Sequence, residues 1–246
     1  NNAETDCAYN IHKKIYPAST TKILTAWLLW RMEIYLIGHS ADEADSGKFA
    51  ADEQTCGIKA GDQLTLEDLL NGLLLYSGND NAVAIADHIA GSTEKFAEMM
   101  NAEAKKLMAT NSHFVNPSVF MTITIIRLLM IVSDFNECIK HDEFIEVISA
   151  DSYTPDITGA DGNPRSVEWE PTNFYATGEA ASPQNVTLVG GKTVLQSLPE
   201  TVLPSFKDDG GQPYISIVMG ADTKDLLYQD MTALVDNIPE NTESED

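Results

Sequence analysis

The chain is poor in basic residues, and this shortage excludes one class of partner. Among 246 residues, 15 lysines and arginines stand against 38 aspartates and glutamates, which gives a net charge of −23. Nucleic acid and anionic membrane surfaces are themselves negative, so they would repel such a chain. We therefore expect no nucleic-acid partner, and we read the acidic charge mainly as a source of solubility.

Cysteine is also scarce, and histidine is scattered. The three cysteines, Cys7, Cys56 and Cys138, lie far apart with no C-x-x-C spacing. One disulfide is possible, but the sequence does not determine its pairing. The five histidines form no H-x-x-x-H pair, which is the spacing typical of a helical zinc site. The sequence predicts no metal and no cofactor.

Long apolar runs are missing as well. The two longest are interrupted by Arg31 and Glu33 or by Arg127, whereas a membrane-spanning helix needs about 20 consecutive apolar residues. The first six residues also lack the basic and apolar regions of a signal peptide. We expect membrane association only through parts that are absent from this chain.

The first positive signal is a serine placed just before an apolar helix. Ser19-Thr20-Thr21-Lys22 opens a segment that is apolar on nearly every side as far as Ile37, which predicts a buried helix. Positions three apart share a helix face, so the Ser19 hydroxyl and the Lys22 amine can meet. The backbone N–H groups at a helix N-terminus also favour an oxyanion. We interpret Ser19 as a candidate nucleophile and Lys22 as its base.

This spacing is not specific by itself. Ser92-Thr93-Glu94-Lys95 repeats it, and there Ser92 is better explained as the cap of a surface helix. The hypothesis therefore depends on two further motifs, Ser77-Gly78-Asn79 and Lys192-Thr193. Each of these is an ordinary turn or strand sequence when taken alone.

The order of elements predicts an α+β protein. One early helix is followed by a helical block and then by strands with a closing helix, which fits an antiparallel sheet flanked by helices with an inserted all-helical lobe. We predict one catalytic domain over residues 1–237. Its α/β lobe covers about 1–40 and 166–237, its helical lobe covers about 41–165, and residues 238–246 form an acidic tail.

Three segments carry more local predictions. Val119–Val132 is rich in β-branched residues, and we favour a buried helix there. Residues 150–168 contain two prolines and two glycines and are predicted to be a connecting loop. Tyr214–Met219 is predicted to be one uninterrupted strand.

The three motifs occur in the order S-x-x-K, S-x-N and K-T, and together they resemble the serine acyl-transferases that bind penicillin. Their surroundings are similar to one branch, the D-alanyl-D-alanine carboxypeptidases. The similar stretches include Tyr16-Pro17-Ala18 before the serine, Leu69–Leu75 before the second motif, and Val218–Ala221. The resemblance covers about residues 8–236 and implies the DD-peptidase/β-lactamase-like fold.

The resemblance also implies a role for each motif residue. Ser19 is acylated, and Lys22 takes its proton. Ser77 relays a proton to the leaving amine, while Asn79 orients Lys22 and holds a substrate amide. Lys192 supplies positive charge beside Lys22 and attracts the terminal carboxylate of the substrate.

Two further residues complete the implied site. Thr193 hydrogen-bonds the substrate carboxylate, and the backbone N–H groups of Ser19 and Leu195 bind the oxyanion. The implied substrate is the pentapeptide stem of peptidoglycan, and β-lactam antibiotics acylate the same serine. This chemistry implies an extracytoplasmic location.

The sequence departs from the family pattern near the third motif. Val194 stands where K-T-G has glycine, and Gln196 replaces the usual threonine or serine. A β-branched side chain beside the substrate strand can crowd the acyl pocket. A catalytically impaired penicillin-binding or peptidoglycan-binding protein is therefore an alternative. A β-lactamase is a third, and its rapid deacylation requires a carboxylate placed beside the acyl-enzyme.

Overall fold

The computed structural model describes residues 7–10, 18–32, 37–42, 45, 47, 49–107, 112–118, 135–136, 138–194, 200–208 and 211–237. The helices within these ranges are α1 Thr21–Trp30, α2 Leu66–Asn71, α3 Asn79–Ala90, α4 Thr93–Lys106, α5 Asp142–Ser149, α6 Phe174–Thr177 and α7 Lys224–Asp236. A 3-10 turn, Ala18–Thr20, precedes α1, and a π turn, Gly72–Tyr76, follows α2. The strands are β1 Gly38–Ser40, β2 Gln63–Thr65, β3 Ile157–Thr158, β4 Pro164–Arg165, β5 Val186–Val194, β6 Glu200–Asp208, β7 Pro213–Ile215 and β8 Val218–Ala221.

Two antiparallel sheets organise these elements. In the larger sheet, β6 pairs with β5 along the length of the strand. The C-terminal end of β6 also pairs with β7, and the N-terminal end of β6 pairs with β8. The smaller sheet has the order β1-β2-β3-β4. This combination of antiparallel sheets and helices confirms the predicted α+β class.

Among the described residues, the buried hydrophobic side chains form two clusters. The larger one gathers α1, α2, α3, α4 and α5 around buried side chains such as Leu24, Leu69 and Ile85. The smaller one packs α7 on the larger sheet through Phe206, Leu227 and related residues. Burying one such side chain contributes about 1.5–3 kcal/mol, so the first cluster fixes α1 at the centre of the helices. The boundaries of the two lobes stay a prediction.

Helix α1 is buried on nearly every side, as predicted, but it ends earlier than Ile37. Eight of its residues are buried, and the chain leaves the helix at the exposed Arg31 and Met32. Ile37 is not helical and directly precedes β1. The apolar sequence continues past Trp30 to Ile37 without a break that would mark the end of the helix, so periodicity alone does not locate that end.

Two other local predictions are wrong. The predicted strand Tyr214–Met219 is divided into β7 and β8, because Ser216 and Ile217 leave the ladder and the Ser216 N–H donates to the Pro204 carbonyl at 3.2 Å. The predicted loop 150–168 contains β3 and β4, which add to the smaller sheet. The predicted helix over Val119–Val132 and the tail 238–246 lie outside the described residues.

Strand β5 contains a bulge that determines which face its later residues occupy. Leu188 pairs with Phe206 but Gly190 pairs with Ser205, so Val189 is an extra residue in the ladder. Before the bulge, Leu188 packs with the α7 cluster. After it, Gly190 lies against the backbone of Ile148 at the end of α5. The bulge therefore turns Lys192 towards the helices of the larger cluster and away from α7.

Candidate active site

Ser19 lies in the 3-10 turn that leads into α1. It is half-buried, between the buried residues Ala18 and Thr20. Ala18 has φ = +45°, a left-handed conformation that costs a non-glycine residue of the order of 1 kcal/mol. Such strain persists where surrounding packing enforces it and is common at functional sites. The turn places the Ser19 hydroxyl one helical turn before Lys22.

The Lys22 amine lies at the centre of a group of polar atoms from two segments. Its Nζ is 3.1 Å from Ser19 Oγ and 3.2 Å from Ser77 Oγ. The same Nζ is 2.9 Å from the Ser77 carbonyl oxygen and 2.6 Å from Asn79 Oδ1. The structure thus brings together four of the predicted residues, from positions that are 55 to 57 residues apart in the chain.

The four contacts can accommodate a neutral amine. The Ser77 carbonyl and Asn79 Oδ1 can only accept hydrogen bonds, whereas a hydroxyl can accept or donate. A neutral amine has two N–H groups, which these two acceptors occupy. Its lone pair then remains for the hydroxyl of Ser19 or of Ser77. The arrangement is that of a base which takes a proton from one hydroxyl and can return it to the other.

Burial adjusts the proton affinity of this amine in the same direction. Lys22 is fully buried, and the loss of hydration lowers its pKa from 10.5 to about 7, although Cys56, Asp80 and Glu53 act in the opposite sense. Near neutral pH a substantial fraction of Lys22 is therefore unprotonated. A lysine of ordinary pKa would be almost entirely charged under these conditions and unable to accept a proton from Ser19.

The second motif is held by an unusual turn. The π turn Gly72–Tyr76 ends at Ser77, which has the left-handed conformation with φ = +70°, and Asn79 opens α3. Gly78 is tightly enclosed, since a Cβ there would lie 2.3 Å from Asn81 Oδ1 and 2.6 Å from Cys56 Sγ. This close packing explains the glycine between Ser77 and Asn79 and fixes both side chains beside Lys22.

The third motif reaches the site through β5, which packs against the 3-10 turn of Ser19. Lys192 is 1% exposed, and no described residue hydrogen-bonds its amine. Burial lowers the pKa of Lys192 well below its usual value, and the charge of Lys22 lowers it further. The two amines therefore do not hold full charge together. Thr193 lies in β5, where only its backbone is described, and Leu195 lies outside the described residues.

One acidic residue near the site was missed by the motif reasoning. Glu170-Pro171-Thr172-Asn173 has the E-x-x-N spacing, and the Thr172 N–H donates to the Leu75 carbonyl at 3.3 Å, two residues before Ser77. The Glu170 side chain is exposed and has no hydrogen bond to the Lys22 group among the described residues. The Asn173 side chain instead caps α6, accepting from the Tyr175 N–H at 3.0 Å. This arrangement does not favour the β-lactamase alternative.

The cysteines and the helices add two observations. No disulfide joins any two of Cys7, Cys56 and Cys138, so the one that the sequence left possible is not formed. Within the described ranges, no helix has both the length and the hydrophobicity that a membrane span requires.

Comparison with known proteins shows which family and which fold this chain resembles. Residues 7–124 match the family model described as D-alanyl-D-alanine carboxypeptidase. The chain is 37% identical over 116 residues to the D-alanyl-D-alanine carboxypeptidase DacD of Escherichia coli, a match that covers 44% of this chain and 30% of that protein. It is 41% identical over 102 residues to DacB2 of Mycobacterium tuberculosis, covering 42% of this chain and 34% of that protein. The matched region is thus about a third of the length of these relatives.

Solved structures match over a much longer range. A mutant Streptomyces DD-transpeptidase aligns with a TM-score of 0.80 at 24% identity, covering 91% of this chain and 88% of that one. Penicillin binding protein 6B of Escherichia coli aligns with a TM-score of 0.79 at 25% identity, covering 93% and 71%. The resemblance to the D-alanyl-D-alanine carboxypeptidases is thereby confirmed over residues 7–124, and the chain has the fold of the penicillin-binding DD-peptidases over nine-tenths of its length.

Proposed function

We propose that this chain is the catalytic region of a serine D-alanyl-D-alanine carboxypeptidase. It would remove the terminal D-alanine of peptidoglycan stem peptides and be acylated by penicillins. The observation that carries the proposal is the buried Lys22 amine, which lies within hydrogen-bonding distance of both serine hydroxyls, Ser19 and Ser77. Because peptidoglycan lies outside the cytoplasmic membrane, the proposed activity is extracytoplasmic.

The acylation step follows from the four contacts of Lys22. The Ser19 hydroxyl passes its proton to the lone pair of Lys22 Nζ, and Ser19 Oγ attacks the carbonyl carbon of the penultimate D-alanine. The negative charge on the carbonyl oxygen is stabilised by the backbone N–H of Ser19 and, by family resemblance, by that of Leu195.

The C–N bond then breaks, and the leaving amine of the terminal D-alanine takes a proton. Ser77 is suited to deliver it, since Ser77 Oγ is 3.2 Å from the Lys22 amine that holds the proton. The Asn79 amide oxygen, 2.6 Å from the same amine, keeps it in place throughout. Water subsequently hydrolyses the Ser19 ester and regenerates the hydroxyl.

Lys192 and Thr193 are the proposed anchors for the free carboxylate at the end of the substrate. Lys192 has an amine without a hydrogen-bond partner among the described residues, and a substrate carboxylate would satisfy it. An anion bound there would also raise the pKa of Lys192 towards the charged form. Binding of substrate and protonation of Lys192 are thus expected to reinforce each other.

A fluorescent penicillin tests the proposal directly. The unsubstituted chain should form a covalent adduct that survives denaturation, and Ser19→Ala should form none. Ser92→Ala is the matched control, because it has the same S-x-x-K spacing but loses only a helix cap, in which Ser92 Oγ accepts from the Lys95 N–H at 3.3 Å. An adduct that persists in Ser19→Ala, or its absence from the unsubstituted chain, refutes the proposed nucleophile.

A second candidate function is supported by Val194. This residue stands where the family has glycine, so acylation by penicillin is better supported than turnover of peptide. A catalytically impaired penicillin-binding or peptidoglycan-binding protein would form the adduct but release little D-alanine. Measuring D-alanine released from a synthetic pentapeptide separates the two functions, since release at the rate typical of the family excludes the impaired one. Rapid, repeated hydrolysis of penicillin would instead favour a β-lactamase.

A further inference from the structure

Asp80 directly follows the Ser77-Gly78-Asn79 motif and is almost completely buried, with 1% exposure. Its carboxylate has no cation bound to it among the described residues. It accepts hydrogen bonds from the backbone N–H groups of Cys56 at 2.9 Å, Ile58 at 3.0 Å and Asn81 at 3.0 Å. An isolated buried carboxylate is costly, so its retention at this position calls for an explanation.

These hydrogen bonds attach a second segment to the start of α3. Residues 54–58 run alongside the motif, and the Gln54 carbonyl accepts from the Asn79 N–H at 2.8 Å. The Cys56 carbonyl in turn accepts from Trp169 Nε1 at 3.3 Å. Asp80 therefore joins the segment to the turn that presents Ser77 and Asn79 to Lys22.

The carboxylate also acts on the Lys22 amine. Three groups raise the pKa of Lys22 against the effect of burial, namely Cys56, Asp80 and Glu53. Burial raises the pKa of the Cys56 thiol, which is therefore neutral near pH 7, and Glu53 is only half-buried and screened by solvent. Burial raises the pKa of Asp80 too, but three backbone N–H donors favour its ionised form. Asp80 is thus a buried negative charge that opposes the effect of burial on Lys22.

We propose that Asp80 is a positioning residue: its carboxylate ties residues 54–58 to the first turn of α3 and supplies the negative charge against which Lys22 exchanges its proton. The role rests on the proposed function, because it concerns the same base. It adds a residue that touches no substrate and that the three motifs do not contain. Without this charge the pKa of Lys22 would be lower, so its amine would lose its proton at a lower pH. The amine would also hold less firmly the proton that it later passes to Ser77.

The test is the pH dependence of acylation by a fluorescent penicillin, measured from about pH 5 to 9. Asp80→Asn should move the acid limb of the rate profile to lower pH, by about one unit for the loss of a nearby opposite charge. Asp68→Asn is the matched control. Asp68 is also buried, at 2% exposure, and accepts from the Thr65 N–H at 2.7 Å and from the Tyr153 hydroxyl at 2.9 Å. It is not among the charges that act on Lys22, so this variant should lose stability without moving the limb.

A structural role alone would lower the rate of Asp80→Asn at every pH and leave the limb in place, and that result overturns the proposal. If Asp80→Asn does not fold, the same pH profile is measured for Asp80→Glu, and that variant tests the proposal. It keeps the charge and should keep the limb at its original pH even if the melting temperature falls, and a displaced limb refutes the role.

The proposed function is judged separately, on the unsubstituted chain. If that chain forms no penicillin adduct, the proposed function fails. The charge effect is then read from the titration of the Lys22 amine by NMR in protein labelled with 15N-lysine. A lower midpoint in Asp80→Asn than in the unsubstituted chain supports the charge effect, and an unchanged midpoint refutes it.

Discussion

Replacing Asn79 with aspartate would place a carboxylate directly on the proposed base. Asn79 Oδ1 is 2.6 Å from Lys22 Nζ, and both side chains are buried, at 3% and 0% exposure. An opposite charge at this distance raises the pKa of a lysine by about 1–3 units. Taking about two units, the Lys22 pKa would rise from about 7 to about 9, which corresponds to about 2.7 kcal/mol in favour of the charged amine.

The consequence for the rate follows from the fraction of neutral amine. At pH 7 this fraction would fall from about one half to about one hundredth, so Asn79→Asp should be acylated about 50-fold more slowly than the unsubstituted chain. Raising the pH to about 9 should restore most of the rate, because the amine is then again partly neutral. The assay is the second-order rate of acylation by a fluorescent penicillin between about pH 6 and 10.

Asn101→Asp provides the control, since it makes the same chemical change at a half-buried asparagine that contacts Phe114, not Lys22. Its rate profile should keep its position on the pH axis. The reasoning is refuted if Asn79→Asp loses activity equally at all pH values, because Asn79 would then act by geometry alone. It is also refuted if the profile shifts to lower pH.

Two further predictions concern stability. Gly190→Ala should lower the free energy of unfolding by about 1–3 kcal/mol, because a Cβ at Gly190 would lie 2.4 Å from the Ile148 carbonyl oxygen. Chemical denaturation measures this, and an unchanged midpoint contradicts the packing argument. Burial and the nearby His39, whose Nδ1 is 3.3 Å from His88 Nδ1, lower the pKa of His88 in the folded state. The unfolded chain therefore binds this proton more readily, and stability should fall as the pH drops below about 6.5. His88→Gln should flatten that dependence, and an unchanged slope in urea unfolding between about pH 5.5 and 7 would count against it.

The contact between Ser19 and Lys22 was predictable from the sequence because its geometry is local. The three-residue spacing from Ser19 to Lys22 requires only that α1 be a helix, and the structure shows their side chains 3.1 Å apart. The approach of Ser77 and Asn79 to the same amine is not local. It was inferred from the order of the motifs in a known family, since no pattern of hydrophobicity places residues 55 positions apart in contact.

Other features could not be read from local patterns because tertiary contacts determine them. Strand β6 contains Pro204, which argues against a strand, yet it pairs on both sides and forms the centre of the larger sheet. The left-handed conformation of Ser77 depends on the enclosed Gly78 and on its packing against Cys56. Asp80 reads as an ordinary acidic residue in the first turn of a helix, and only the structure shows that its carboxylate is buried.

The extra residue in β5 has a consequence for how this sequence is compared with others. Side chains along a strand alternate between faces, so a residue that falls outside the ladder reverses the alternation for every residue after it. Lys192 meets Lys22 across the inner face of the sheet only because Val189 falls outside the ladder. A relative with an unaltered Lys-Thr pair and the same number of residues before it, but with a regular ladder in place of the bulge, would direct that amine into the apolar layer beneath α7. The bulge at Val189 is therefore as much a part of the motif as the lysine itself.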